Sequence, residues 1–223
     1  MEKKLRKIFL GLLAVVLTTS YVSAQFTFGP RAGFNFTNML EVYGGTKLDK
    51  EDRGKFKSGF QIGMVADYAL NSGLSIQSGL LFAQQGCKFD RYVGKTIVNL
   101  NYLQIPVNVQ FKFPLGGMDL LIQTGPYLGF GINGKHKLWD EDGKRMSNED
   151  FKISFGNDGK KGDIKGFDFG IGFGAGLQFG NIQAGLGYNL GLRNLYNRFY
   201  KGETGSLLKN RGFALTITYL FGN

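Results

Sequence analysis

Three stretches of this 223-residue chain carry residue types and spacings that do chemistry. Gly170-Ile171-Gly172-Phe173-Gly174-Ala175 has the glycine spacing of a loop that cradles a dinucleotide phosphate. Such a loop works between a strand and a helix, where backbone amides at the helix start face the phosphate. Here glycine simply continues at every second position, so a structural role is expected. Asp140-Glu141-Asp142-Gly143 resembles the acidic head of a calcium loop. An EF-hand needs a further acid at position 138, where Leu138 stands, so a solvated acidic turn is expected and no metal is assigned. His136 is the only histidine, and it shares a polar segment with Ser147, Glu149 and Ser154. A histidine, a serine and an acid hydrolyse an ester when nucleophile and base are held in a fixed hydrogen bond. A flexible charged segment is not expected to hold them, so no catalytic residue and no cofactor are assigned.

The elements that position these residues follow a period of two, which is the strand signal. Over 166–179, Phe167, Phe169, Ile171, Phe173, Ala175, Leu177 and Phe179 fall on one face. Glycines, Asp168 and Gln178 fall on the other. Over 103–113, Leu103, Ile105, Val107, Val109, Phe111 and Phe113 alternate with Gln104, Pro106, Asn108, Gln110 and Lys112. Segments 26–36, 59–70, 74–85, 119–132, 182–192 and 212–221 obey the same rule. Each is about as long as a tilted strand must be to cross a bilayer core. Asn71-Ser72-Gly73, Pro114 to Met118 and Gly180-Asn181 are short turns. Segments 37–58, 86–98, 133–165 and 193–211 are long and polar. The expected fold is therefore all-β: an eight-stranded antiparallel transmembrane β-barrel with short periplasmic turns and long extracellular loops.

The faces agree with that fold. Phe26, Phe28, Tyr68, Phe111, Phe113, Phe179, Tyr219 and Phe221 gather at one end of the apolar face. Phe34, Phe36, Phe60, Phe82, Phe130, Phe167, Phe169 and Phe213 gather at the other. Two aromatic belts around an aliphatic band are how a barrel meets both membrane interfaces. A soluble barrel would turn this face inward and have no reason to sort its aromatics to the strand ends. An eight-stranded barrel has an interior barely wide enough for its own side chains, so alternating glycine is expected to leave room for larger neighbours. Parity sends Arg31, Asp67, Lys112, Asp168 and Arg193 inward. Charges there must pair or be hydrogen-bonded, and the expected pairs are Arg31 with Asp67 and Asp168 with Arg193, as structural plugs or as a gate.

Composition and targeting narrow the setting. An aromatic content of 14% is too rich for a disordered chain, and the lone Cys87 forbids an internal disulfide framework. Lys3, Lys4, Arg6 and Lys7 precede an apolar run from Ile8 to Leu17, and Val22-Ser23-Ala24 supplies small residues. Residues 1–24 are thus expected to be a secretory signal peptide cleaved before Gln25, with 25–223 as the barrel domain. Cleavage removes Glu2 and four basic residues, so the net charge falls by 3, from +10 to +7. An exported basic protein meets lipid head groups and polysaccharide before nucleic acid, and no nucleic-acid role is expected. Lys88, Arg91, Lys95, Arg198, Lys201, Lys209 and Arg211 are the expected contacts to anionic lipid.

The opening GPRAGFNFTN (29–38), the central YLQIPVNVQFKF (102–113) and the late GYNLGLRNLY (187–196) together resemble the PorT-like outer-membrane β-barrel family of Bacteroidetes-type bacteria. The resemblance runs from about Phe26 to the C-terminus. It implies an exported eight-stranded barrel in the outer membrane of a Gram-negative envelope, and it supplies no catalytic residues. One relative is associated with protein secretion and cell-surface attachment. Tyr219 and Phe221 also resemble the terminal signal read by barrel-insertion machinery. The expected function is a non-enzymatic envelope protein, possible as a secretion accessory, whose partners are outer-membrane lipid, lipopolysaccharide and a protein at the loops. A small pore or porin-like transport protein is the alternative, and a lipid A-modifying enzyme a more distant one.

Overall fold

The computed structural model describes residues 25–43, 46–47, 54–91, 94–140, 142, 144–146, 150–156, 163–196 and 207–222. The expected signal segment lies outside the described residues. So do Glu141, Gly143, Ser147, Glu149, Arg198 and Lys201, and the side chain of Arg91.

Eight long strands form the body: β1 (Phe26–Tyr43), β2 (Lys57–Asn71), β3 (Leu74–Arg91), β4 (Gly94–Pro114), β5 (Asp119–Trp139), β6 (Phe167–Phe179), β7 (Ile182–Gly191) and β8 (Leu207–Tyr219). Each pairs antiparallel with the next, and β8 pairs with β1, so the sheet is a closed ring. Register partners can be followed around it: Leu177, Ala184, Ile217, Ala32, Ile62, Phe82, Leu103, Phe130, then Phe167. The circuit returns to β6 ten residues from its start. That stagger in an eight-stranded ring corresponds to a strand tilt of roughly 40° and a backbone radius of roughly 8 Å. So narrow a tube is filled by its own side chains.

The alternation divides the side chains as expected. Phe34, Ile62, Leu80, Val107, Ile122, Phe173, Leu186 and Ile217 point outward and are exposed. Arg31, Gln61, Asp67, Gln77, Gln104, Gln110, Asp168 and Gln183 point inward and are buried. A polar interior inside an apolar surface is stable only where the surroundings are hydrocarbon.

The strands on one side run further than bilayer length demands. Segment 86–98, expected as a loop, is the upper part of the β3–β4 hairpin, and β5 continues to Trp139. Lys88 and Lys95 made this region look like a connection. Its inward residues Cys87, Phe89, Val98 and Leu100 nevertheless keep the period of two, and they are what the extension buries. Short strands Thr46–Lys47, Phe151–Ile153, Phe155–Gly156 and Ile164–Lys165 add to the outer end. Between β4 and β5 the register shifts: Asn101 opposes Asn133 and Tyr102 opposes Gly131. Ile132 is the extra residue of a β-bulge, and beyond it the faces of β5 are exchanged. Gly180 in the β6–β7 turn has φ 53°, a left-handed value that glycine adopts without strain.

The lumen as candidate functional site

The inward side chains form layers along the barrel axis. At the periplasmic end, Lys112 Nζ lies 2.9 Å from Asp67 Oδ2, and the Ser75 hydroxyl donates to Asp67 Oδ1 at 2.8 Å. Asp67 is almost wholly buried, so this pairing compensates a desolvated carboxylate. Asp67 therefore pairs with Lys112 and not with Arg31. In register Asp67 faces Thr27, while Arg31 faces Gly63. The stagger carries side chains at one height onto different register rows.

Arg31 belongs to the next layer. Its Nε donates to Thr218 Oγ1 at 2.7 Å and its Nη2 to Gln77 Oε1 at 2.5 Å. Gln77 donates to Gln183, and Gln183 donates to both Gln110 and Gln178. Gln110 in turn donates to Gln123. Six of the eight strands are thus tied across the lumen by glutamine amides, each of which can give and accept. Parity alone revealed these glutamines as inward. Their mutual bonding was not visible, because it joins residues up to 106 positions apart.

Above this lattice is a cavity of about 60 Å³ lined by Arg31, Gln61, Gln104, Asn108 and Asn189. It is polar and sized for roughly four waters. Two neighbouring voids are about 10 Å³ each. The glycines of β6 give the larger residues their places. A Cβ on Gly170 would lie 2.6 Å from the Tyr127 ring, and one on Gly174 would lie 2.9 Å from Gln123 Nε2.

Asp168 lies in the layer above. Asn210 Nδ2 donates to Asp168 Oδ2 at 3.0 Å, and the Tyr127 hydroxyl donates to the same oxygen at 3.4 Å. Asn210 also approaches the Tyr102 hydroxyl at 3.5 Å. The pairing expected between Asp168 and Arg193 is not formed. Arg193 lies beyond the end of β7, and its guanidinium sits 5.0 Å from the centre of the outward-facing Phe167 ring. A cation over an aromatic face is favourable at a membrane rim. The outer mouth is closed by Met39, Cys87, Phe89, Leu100, Tyr102 and Leu195, with Ile153 and Phe155 packed on them.

Matched against known families, the sequence fits the outer membrane protein beta-barrel domain over residues 20–197. The chain belongs to that family. It is an outer-membrane β-barrel protein, and membrane lipid is its surroundings. Among solved structures it is similar to the attachment invasion locus protein Ail of Yersinia pestis, at 16% identity, 88% of this chain, 99% of Ail and a TM-score of 0.41. It is similar to the outer membrane protein OprG of Pseudomonas aeruginosa at 11% identity, covering 88% of this chain and 96% of OprG, with a TM-score of 0.49. The outer membrane protease OmpT of Escherichia coli is a further likeness, at 12% identity, 92% and 99% coverage and a TM-score of 0.38. Among curated proteins none matches the chain.

Within this family barrel, the residues weighed for chemistry fall as follows. His136 lies on β5 beyond the bulge, not in a loop, and its ring stacks on Phe151 at 5.1 Å and 11°. The Ser154 backbone N–H and hydroxyl both donate to Asp163 Oδ2, at 2.8 and 3.1 Å. The glycine run 170–174 is in mid-strand. Asp140 accepts a bond from the Lys144 backbone N–H at 2.7 Å, as in a capped turn. Lys88 and Lys95 stand on the β3–β4 extension, and Lys209 and Arg211 on the outward row of β8. The sequence reading missed the buried Lys57 on β2, and it missed a charged group at the outer end. Lys135 (2.7 Å), Lys137 (3.8 Å) and Arg145 all converge on Asp150 near the outer tip. The Lys135 ammonium, hydrogen-bonded to it, holds the Asp150 carboxyl below its usual range, and the charges of Lys137 and Arg145 act in the same direction. The near-balance of signs along 133–165 concealed a local excess of three cations to one carboxylate.

Proposed function

We propose that this protein is a closed, non-conducting barrel whose work is done outside the bilayer, by the β3–β5 extension and the basic residues around the outer rim. The observation that carries this reading is the filled lumen. An ion pair, a glutamine lattice and an apolar cluster lie in series along it, and the voids between them hold only a few waters. Their bonding also supports a structural role for Arg31, Asp67, Lys112 and Asp168. The cation-rich group around Asp150, with Lys88, Lys95, Lys209 and Arg211, supports contact with lipopolysaccharide phosphates or acidic polysaccharide. A secretion-accessory role, as the PorT-like resemblance implies, fits the same geometry, with a protein partner on the extension. The stacking of His136 on Phe151 and the engagement of Ser154 with Asp163 support a non-enzymatic reading.

Planar-bilayer recording of the refolded chain tests this. The expected result is no stepwise current. Reproducible channel steps, altered by Arg31→Ala or Asp168→Ala, would overturn the reading in favour of a small pore. Export by a cleaved signal is part of the same proposal, and the expected N-terminus of the membrane-extracted protein is Gln25.

A further inference from the structure

The lipid-facing surface is not uniformly bulky. Across β6, β7, β8 and β1 the outward row Leu177–Ala184–Ile217–Ala32 lies beside the row Ala175–Leu186–Leu215–Phe34. Three of these eight positions are alanine. The result is an apolar groove of about 550 Å³, walled by Phe34, Leu186, Leu215 and Ile217 and floored by the alanines and adjoining backbone. It lies between the aromatic belts, where the surroundings are hydrocarbon. Directly above it on β8, the outward row continues through Phe213 to Arg211 and Lys209. Arg211 is four residues from Leu215, roughly 13 Å along the strand. Arg211 is half-buried there, beside Lys209 on the same outward row.

We infer that this face binds one lipid of the outer leaflet, a phosphate-bearing headgroup at Arg211 and Lys209 and an acyl chain in the alanine groove. The inference rests on the proposal that basic rim residues hold anionic lipid, and it assigns that contact a place. Two observations select this occupant. Two cations, Arg211 and Lys209, stand on one outward row and match the charge of a phosphate, and the distance down β8 is one that an acyl chain spans. A second copy of the chain fits less well. A symmetric dimer through this face would set Arg211 and Lys209 of both copies against each other at the same height, and like charges there repel.

The test is native mass spectrometry of the full folded chain in detergent, with phosphatidylglycerol or phosphatidylcholine of identical acyl chains as probes. Insertion-competent folding of each variant is checked by heat-modifiable gel mobility. The expected result is retained phosphatidylglycerol in preference to phosphatidylcholine. Replacing Lys209 and Arg211 together by Gln should remove that preference, on the order of tenfold. Filling the groove with Ala184→Leu and Ala175→Leu should reduce retention of both lipids by roughly fivefold. Loss with the charge variant but not with the groove variants overturns the groove and leaves only an electrostatic rim. No preference in the wild type overturns the groove and the rim contact together. A groove variant that changes the oligomeric mass while lipid retention stays constant assigns the face to a second copy and overturns the inference. Should the filled variants fail to fold, a phosphatidylglycerol photolabelled in its acyl chain decides the matter on the wild type. Crosslinks should fall on peptides containing Ala32, Ala184 or Ile217, and labels spread evenly around the barrel overturn the inference.

Discussion

Strands β3, β4 and β5 run 18, 21 and 21 residues, whereas β6 and β7 run 13 and 10. The long wall sends large side chains inward, among them Gln77, Tyr102, Gln104, Gln110 and Tyr127. The short wall sends in Gly170, Gly172, Gly174, Gly176, Gly185, Gly187 and Gly191. The two are complementary because the tube has one fixed, narrow cross-section. What one wall inserts, the other must leave vacant. The long wall also continues past the bilayer, and its inward residues there turn apolar, because water now lies outside and a conventional core can form. One period-two pattern thus builds an inverted interior at membrane depth and an ordinary one above it.

The largest expected effect separates the two depths. Val107→Arg on the long wall and Leu186→Arg on the short wall should each cost about 2–4 kcal/mol in folding measured by urea titration in lipid vesicles. Ile97→Arg, on the same outward row of β4 but in the extension, should cost less than about 1 kcal/mol. Equal costs at positions 97 and 107 would place the extension in hydrocarbon and break the comparison.

Next is the vacancy on the short wall. Gly170→Ala pushes a methyl into the Tyr127 ring and toward the Leu190 carbonyl, 2.2 Å away, and should cost about 1–3 kcal/mol. Gly187→Ala meets only the Phe173 carbonyl at 3.5 Å and should stay within about 0.5 kcal/mol. Similar values for the two would mean that the glycines serve something other than making room.

The third effect concerns the inward charges. A double-mutant cycle on Asp67 and Lys112 should give a coupling of about 1–2 kcal/mol, since the carboxylate is buried and the ammonium only partly wet. The same cycle on Asp168 and Arg193 should give less than about 0.5 kcal/mol, because the arginine lies over Phe167. The smallest effect lies at the outer tip. A depressed Asp150 pKa means that its stabilising contribution is present above the unfolded value and fades as pH falls through the folded one. An NMR titration of the Asp150 carboxyl should give a midpoint below that of a free aspartate. High salt or Lys135→Met should raise it.

The alternation made the ring of eight legible, and so were the two belts and the reason for the glycines. All three depend only on which face each residue takes. Strand length was misjudged where Lys88, Asp90 and Lys95 interrupt the apolar impression of 86–98. Outside a bilayer, charge on the outward row no longer argues against a strand. Of the inward charges, Arg31, Asp67, Lys112 and Asp168 were found, the buried Lys57 was not, Arg193 was wrongly placed among them, and the partners were not legible. Pairing depends on height along the axis, and height depends on a stagger that parity does not encode. The bulge at Ile132 had no signal of its own, and with it the new facing of His136 was hidden.

The seam between β1 and β8 joins the two ends of the chain, with Phe36 beside Phe213 and Arg31 bonded to Thr218 across 187 positions. No local hairpin can supply that junction. Every other pair of strands forms between sequence neighbours, so closure of the seam is the most non-local event in assembly and the slowest on entropic grounds. Until it closes, two strand edges stand with unpaired amides and carbonyls, which hydrocarbon cannot solvate. Entry into the membrane and completion of the ring are therefore a single coupled transition. The Arg31–Thr218 bond is a latch that becomes available only at its end.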